Sequence, residues 1–212
     1  MQPSEFETLT GQTDLDFPEY EAPPPDPAAL VRAWLAAAER RGVREPRSMA
    51  LATADSRGHA SNRIVTITGV TGPGLVFASH SCSRKGRELA ETGWASGLLY
   101  WRETGQQLIL SGPVTPLPPA ESEALWHGRA VALHPMSVAS RQSEPLADPA
   151  ALRTQATLLA EPETALPRPP RFTGYRLDPT VVEFWCASSD RMHRRLRYER
   201  QGPAWTVTRL QP

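Results

Sequence analysis

The sequence predicts a mainly β fold with flanking helices, an α+β arrangement built on an antiparallel barrel or sandwich. Three observations carry this expectation. Short apolar, β-branched runs follow one another between tight turns, as at 49–53, 60–68 and 75–79. The strands show no regular alternation with helices, which argues against a parallel sheet. Helical spacing of apolar residues is confined to a few segments outside these runs.

In chain order, residues 1–25 are polar, acidic and Pro-rich, ending in Pro23-Pro24-Pro25. They are expected to form a flexible N-terminal arm, ordered only against a partner subunit, with one folded domain over 26–212. Asp26 is placed to cap a helix with Pro27 at its first position, and Leu30, Val31, Trp34, Leu35 and Ala38 recur at helical spacing. Gly42 ends that helix. Strands follow at 49–53 and 60–68 around the turn Asp55-Ser56-Arg57-Gly58, then a turn over 69–74 and a strand at 75–79. Residues 83–91 read as a short helix. The segments 94–101 and 106–111 read as a strand pair joined by Arg102-Glu103-Thr104-Gly105. Helices are expected at 119–129 and 149–161, with a loop over 133–143 between them. Leu166-Pro167-Arg168-Pro169-Pro170 is a linker, and strands at 172–177, 181–186 and 205–210 complete the sheet.

Composition narrows the function classes. Lys plus Arg and Asp plus Glu both number 23, so there is no basic excess of the kind a general nucleic-acid binder shows. No apolar run approaches the roughly 20 residues of a membrane span. Two cysteines, Cys82 and Cys186, make neither a disulfide framework nor a usual zinc site. With no signal peptide, they suggest the reducing cytoplasm. Neither nucleophile motifs nor dinucleotide or Walker-type phosphate loops are present, so if the chain is an enzyme a cofactor carries the hard step.

Two stretches hold the candidate chemistry. In the first, Arg63-Ile64-Val65-Thr66 opens one β run, while Ala78-Ser79 ends another just before Ser83-Arg84-Lys85. Guanidinium, ammonium and hydroxyl groups delivered by two strand ends suit a phosphate monoester, though a hairpin with solvated charges has the same pattern. In the second, Glu183-Phe184-Trp185 precedes Arg191-Met192-His193-Arg194-Arg195. If that run is extended, Arg191, His193, Arg195 and Arg197 share one face; a solvated surface segment is the alternative. Gln107, inside an apolar strand, and Gln142-Ser143, in a loop, offer polar groups to a planar ligand or to neighbouring backbone.

Together these motifs, with Ser140-Arg141-Gln142-Ser143 and the ending Arg209-Leu210-Gln211-Pro212, resemble the pyridoxamine 5′-phosphate oxidase family over roughly residues 26–212. The resemblance implies an FMN-binding antiparallel split β-barrel that works as a homodimer. It implies that Arg63, Ile64, Val65, Thr66, Ala78, Ser79, Arg84 and Lys85 hold FMN from one subunit. Gln107, Gln142, Ser143, Trp185 and Arg195 would complete the site, several from the other subunit. It further implies that Arg129, Arg191 and His193 bind substrate, the last two with catalytic roles, and that His193 could accept a proton.

The departures bear on substrate. Vitamin-forming members typically carry Lys, Tyr and Ser at the positions of Thr68, Leu125 and Leu133, where they hold the substrate phosphate. Losing these donors, at about 1.5–3 kcal/mol per charge-assisted bond, re-aims the pocket. One branch fits, the flavin oxidases of phenazine biosynthesis, which resemble this chain in Asp16-Phe17-Pro18-Glu19-Tyr20, Lys85-Gly86-Arg87-Glu88-Leu89 and His134-Pro135-Met136-Ser137. That branch implies oxidation of a partly reduced phenazine carboxylate with O2 as acceptor. The alternatives are a pyridoxine/pyridoxamine 5′-phosphate oxidase and a non-catalytic module carrying flavin or haem.

Overall fold

A computed structural model describes residues 11–212 of the chain. Residues 1–10 of the expected arm lie outside that range. Six antiparallel strands close into a barrel: β1 (Ser48–Ala54), β2 (Ala60–Thr71), β3 (Gly74–His80), β4 (Trp94–Trp101), β5 (Gln106–Pro116) and β6 (Phe172–Leu177). The order is β4-β1-β2-β3-β6-β5, and β5 pairs back onto β4 to close the ring. A closed barrel leaves no exposed edge among these six strands.

The split lies in β5. Its residues 106–111 pair with β7 (Val181–Cys186), while 114–116 pair with β6. Gly112 stands at the division, where a Cβ would lie 2.4 Å from the Asp178 carbonyl oxygen, so only glycine lets the two branches come this close. From β7 the sheet runs on through β8 (Arg194–Gln201) and β9 (Ala204–Leu210).

Helix α1 (Ala28–Arg40) buries Leu30, Val31, Trp34, Leu35 and Ala38, the face its spacing predicts. The Asp26 carboxylate accepts a hydrogen bond from Ala28 N at 2.7 Å, and Gly42 takes φ +70° just beyond the helix end. Trp34 packs edge-on against Phe184 and Phe17, each with ring centroids 5.0 Å apart. Phe17 is 2% exposed and belongs to the core. The expected boundary at residue 26 therefore falls too late for this side chain: residues 11–25 lie against their own chain, because Phe17 supplies an apolar anchor that the surrounding acidic and proline residues conceal.

Four further helices flank the barrel: α2 (Arg84–Thr92), α3 (Pro119–His127), α4 (His134–Ala139) and α5 (Pro149–Ala160). The structure corrects three expectations. The loop over 133–143 contains α4, opened by Pro135 at a first-turn position where its missing N–H is harmless. The turn at 69–74 is shorter, because β2 continues through a bulge to Thr71 and the chain reverses at Gly72, φ +59°. The Arg-rich run is extended only from Arg194. Arg191 has φ +67°, which breaks the two-residue repeat, so Arg191 and His193 do not line one strand face with Arg195 and Arg197. Among the described residues no helix is long and apolar enough to cross a membrane, and no group of His, Cys, Asp or Glu is arranged to hold a metal.

Candidate active site

The first cluster forms where β3 ends and α2 begins. Ser83 caps α2, its Oγ accepting from Gly86 N at 3.2 Å. A Cβ on Gly86 would lie 2.4 Å from the Ser81 carbonyl oxygen, so a glycine lets the first turn of α2 settle onto the strand end. Lys85 Nζ donates to Ser79 Oγ at 3.0 Å and to Ser83 Oγ at 3.4 Å. It has no carboxylate within ion-pair reach among the described residues. Burial, and secondarily Arg63, push its pKa down.

Glu88 organises the other two cations. Its carboxylate is 4% exposed and accepts from Arg84 Nε at 2.8 Å, Arg63 Nη2 at 3.3 Å, Ser61 Oγ and Thr53 Oγ1. Burial alone would raise its pKa. Hydrogen bonds from Ser61, Thr53, Arg84 and Arg63 outweigh burial and hold it at about 2. Arg63 also donates to the Leu51 carbonyl at 3.2 Å. Three cations against one carboxylate leave a local positive excess that matches a phosphate dianion. Ser143, with φ +69°, accepts from Arg84 N at 3.0 Å, and Gln142 Oε1 accepts from Ser79 Oγ at 3.4 Å, so the 140–144 loop reaches this corner in the same chain. Ala78 sits beside Ser79 on β3. Ile64 and Thr66 point outward, Ile64 being 63% exposed, whereas the Val65 side chain belongs to the core and leaves only its backbone for a ligand.

The second cluster is a row across three strands. Gln107, Trp185 and Arg195 are direct partners in the β5–β7–β8 register, so their side chains share one face. Arg195 is held by Glu183, Nη2 to Oε1 2.7 Å. His193 lies against Trp185 with ring centroids 4.7 Å apart. Its Nδ1 accepts from Ser188 N at 3.1 Å, so a neutral ring carries its proton on Nε2. This corrects the expectation that His193 could accept a proton: in this tautomer it is a donor. No hydrogen bond, ion pair or ring contact joins the second cluster to the first among the described residues.

The third group lies on the helical side of β3 and β6. The Arg129 guanidinium stands over Phe172 at 5.2 Å and Trp126 at 5.8 Å, with Nη2 donating to Ser137 Oγ at 3.4 Å and Nε buried without a partner. Burial pushes its pKa down. The Thr68 hydroxyl donates to the Val76 carbonyl at 3.2 Å, and Leu125 and Leu133 present only methyl groups, Leu133 at 53% exposed. His134 is spent on structure, stacked on Trp126 at 4.1 Å with both ring nitrogens bonded to backbone.

Sequence reasoning missed Glu88, His80 and Asp14. Glu88 had one signal, its i,i+4 spacing from Arg84. His80, 1% exposed with Nδ1 unpartnered, had none; burial, then Arg171, Lys85 and Arg129, push its pKa down to about 4.

A split barrel with a cationic corner at the β3–α2 junction and an aromatic–Arg row on β7 and β8 defines a class. Residues 35–186 match the family model described as pyridoxamine 5′-phosphate oxidase, and residues 172–212 match the pyridoxine 5′-phosphate oxidase C-terminal dimerisation region. The chain belongs to the pyridoxamine 5′-phosphate oxidase family. Within it, the chain is 57% identical to a dihydrophenazinedicarboxylate synthase of Burkholderia lata over 212 residues, 100% of both chains. It is 50% identical to the synthase of the same name from Pseudomonas chlororaphis, over 97% of this chain and 93% of that one. A pyridoxine/pyridoxamine 5′-phosphate oxidase of Paraburkholderia phymatum is 42% identical, over 89% and 90%. The structure superposes on the crystal structure of PhzG from Burkholderia lata 383 in complex with tetrahydrophenazine-1-carboxylic acid with a TM-score of 0.93. That match has 56% identity over 95% of this chain and 100% of that one.

Proposed function

We propose that the chain is an FMN-dependent oxidase of phenazine biosynthesis. It takes partly reduced (hexahydro or tetrahydro) phenazine carboxylates toward the aromatic phenazine, with O2 as electron acceptor, as a cytoplasmic homodimer. The observation that carries this reading is the chemistry of the three positions that resemblance assigns to the substrate phosphate. Thr68 spends its hydroxyl on backbone and Leu125 and Leu133 are apolar, so these positions lack the donors a phosphate needs, while Arg129 stays beside aromatic rings. That combination suits a flat, apolar, carboxylate-bearing molecule. The full-length identity to two dihydrophenazinedicarboxylate synthases supports it.

In this reading Arg63, Arg84 and Lys85 bind the cofactor phosphate, with Ser79 and Ser143 completing the shell. Gln107 would offer its amide to the polar edge of the ring system, and Arg195 would stabilise negative charge on it. FMN held there would supply the two-electron acceptor, with O2 as the final oxidant. Arg191, Arg129 and the Nε2–H of His193 bind and orient substrate carboxylates. Aromatisation drives the reaction, so positioning suffices and no strong base is needed. Among the described residues the two clusters are unlinked within one chain, which fits a site assembled from two copies. An exposed apolar face supports the same arrangement: Ile64, Leu98 and Tyr100 line a cleft of about 480 Å³ on the outside of β1, β2 and β4.

The test is anaerobic single-turnover reduction of the purified yellow protein. Tetrahydrophenazine-1-carboxylic acid should bleach the flavin promptly and pyridoxamine 5′-phosphate on the order of 1,000-fold more slowly at subsaturating concentration, as expected from three lost phosphate donors at about 1.5 kcal/mol or more each. Equal or faster bleaching by pyridoxamine 5′-phosphate would return the chain to the vitamin-forming class.

A further inference from the structure

Residues 12–15 cross the chain far from their own sequence neighbours. Gln12 N donates to the Glu103 carbonyl at 2.8 Å and Asp14 N to the Ala187 carbonyl at 3.1 Å. The Leu15 carbonyl accepts from Arg194 Nη2 and from Cys186 Sγ. The crossing is shaped for close approach. A Cβ on Gly105 would lie 2.5 Å from the Gln12 carbonyl oxygen, and one on Gly11 would lie 1.7 Å from the Arg102 carbonyl oxygen.

The segment ends on the loop that carries Arg191 and His193. Asp14, at φ +58°, a conformation Asp tolerates better than most residues, accepts from Ser188 Oγ at 3.0 Å and Ser189 N at 3.1 Å. Ser188 N donates in turn to His193 Nδ1. Asp190 shares the single Ser188 hydroxyl proton with Asp14, its Oδ1 lying 2.6 Å from Ser188 Oγ, and accepts from Met192 N at 2.9 Å, which brackets the left-handed Arg191. The backbone hydrogen bond from Ser189 is the first cause holding the Asp14 carboxyl at about 2, so it stays an acceptor through the neutral range.

We propose that Asp14 is a positioning residue of the substrate site. Residues 12–15 form a strap that sets the 188–193 loop and, through Ser188, the ring of His193, so that Nε2–H and the Arg191 guanidinium meet a substrate carboxylate together. The strap holds by an acceptor oxygen, not by net charge, because the donors that lower the Asp14 pKa, from Ser188, Ser189 and Thr13, are all neutral. The inference rests on the proposed function in giving Arg191 and His193 to the substrate carboxylate.

The experiment compares Asp14→Ala with Asp14→Asn in the flavin-loaded enzyme. Asn keeps an acceptor oxygen and should restore what Ala removes. With Asp14→Ala, KM for tetrahydrophenazine-1-carboxylic acid should rise on the order of tenfold, with Tm and flavin content unchanged. Reduction by 5,10-dihydrophenazine, which lacks the carboxylate, should keep its wild-type rate. In histidine-15N spectra, His193 should show the Nε2–H tautomer in the wild type and Asp14→Asn, and a mixture in Asp14→Ala. The spectrum needs no substrate, so it judges the strap even if the phenazine reading fails. An unchanged His193 signal in Asp14→Ala, or equal losses on both reductants with a fallen Tm, would overturn the proposal.

Discussion

The corner at β3–α2 and the loop between β7 and β8 are both rich in arginine, yet they are held in different ways. At the corner, Arg63 and Arg84 share the buried Glu88, and Ser61, Thr53, Ser79 and Ser83 fill the remaining valences. Strands β1, β2 and β3 and the start of α2 supply its cations and its carboxylate, and Gln142 and Ser143 close over it from the 140–144 loop. The loop is exposed at Arg191, carries a left-handed residue, and depends on Asp14 from the other end of the chain. A phosphate is the same in every turnover, and a rigid, pre-paired cage suits it. A substrate that changes shape between family members is better met by a loop and a helical wall whose side chains can be exchanged without disturbing the barrel.

The largest effect on cofactor binding should come from the corner cation that has no carboxylate partner among the described residues. Lys85→Met removes a charge-assisted bond worth about 1.5–3 kcal/mol, so FMN affinity should fall about 10- to 100-fold in reconstitution titrations while the fold survives. Glu88→Gln acts on the fold itself. It leaves two guanidiniums facing an uncharged amide, which should cost about 3 kcal/mol and lower Tm by about 10 °C in calorimetry. Because the Glu88 pKa is depressed in the folded state, its stabilisation is present above the unfolded value near 4.5 and is lost as pH falls toward 2. The variant should lose that part of the acid dependence.

A smaller, separable effect belongs to His80. Its folded pKa of about 4 lies below the ordinary imidazole value of 6.5, so the native state resists protonation and stability declines as pH falls from about 6.5 to 4. His80→Asn should flatten this limb, sparing about 2 kcal/mol at pH 5 in urea titrations, and leave the limb below pH 4.5 to Glu88. An unchanged slope between pH 6.5 and 4 would show that His80 titrates normally.

Much of the barrel was legible because strand signals are local. The strand at 94–101 was read to the residue, and the helix at 83–91 was displaced by one position from Arg84–Thr92. Arg63, Ser79, Arg84 and Lys85 converge as expected, since strand ends and a helix start were visible around them. What failed was nonlocal. The β4–β5 hairpin was read, but the pairings of β1 with β4, β3 with β6 and β5 with β6 that complete the ring carry no signature beyond the strands themselves, and β8 was hidden by its charges because Leu196 and Tyr198 alone face the core. Nothing local to Glu88 reports its burial, which depends on donors from β1 and β2. The His193 tautomer is set by Ser188 N, a backbone atom that no side-chain pattern reports.

The central claim is that the corner of one chain works with the β7–β8 row of another. Mixing two variants, Lys85→Met and Arg195→Met, at an FMN concentration low enough to leave the weakened Lys85→Met site empty tests it most directly. If each site takes Lys85 from one protomer and Arg195 from its partner, every mixed dimer regains one intact site, and an equal mixture subunit-exchanged to equilibrium should recover about a quarter of wild-type turnover. If both residues serve a site within one chain, every site in the mixture carries a lesion and turnover should stay at the level of the separate variants.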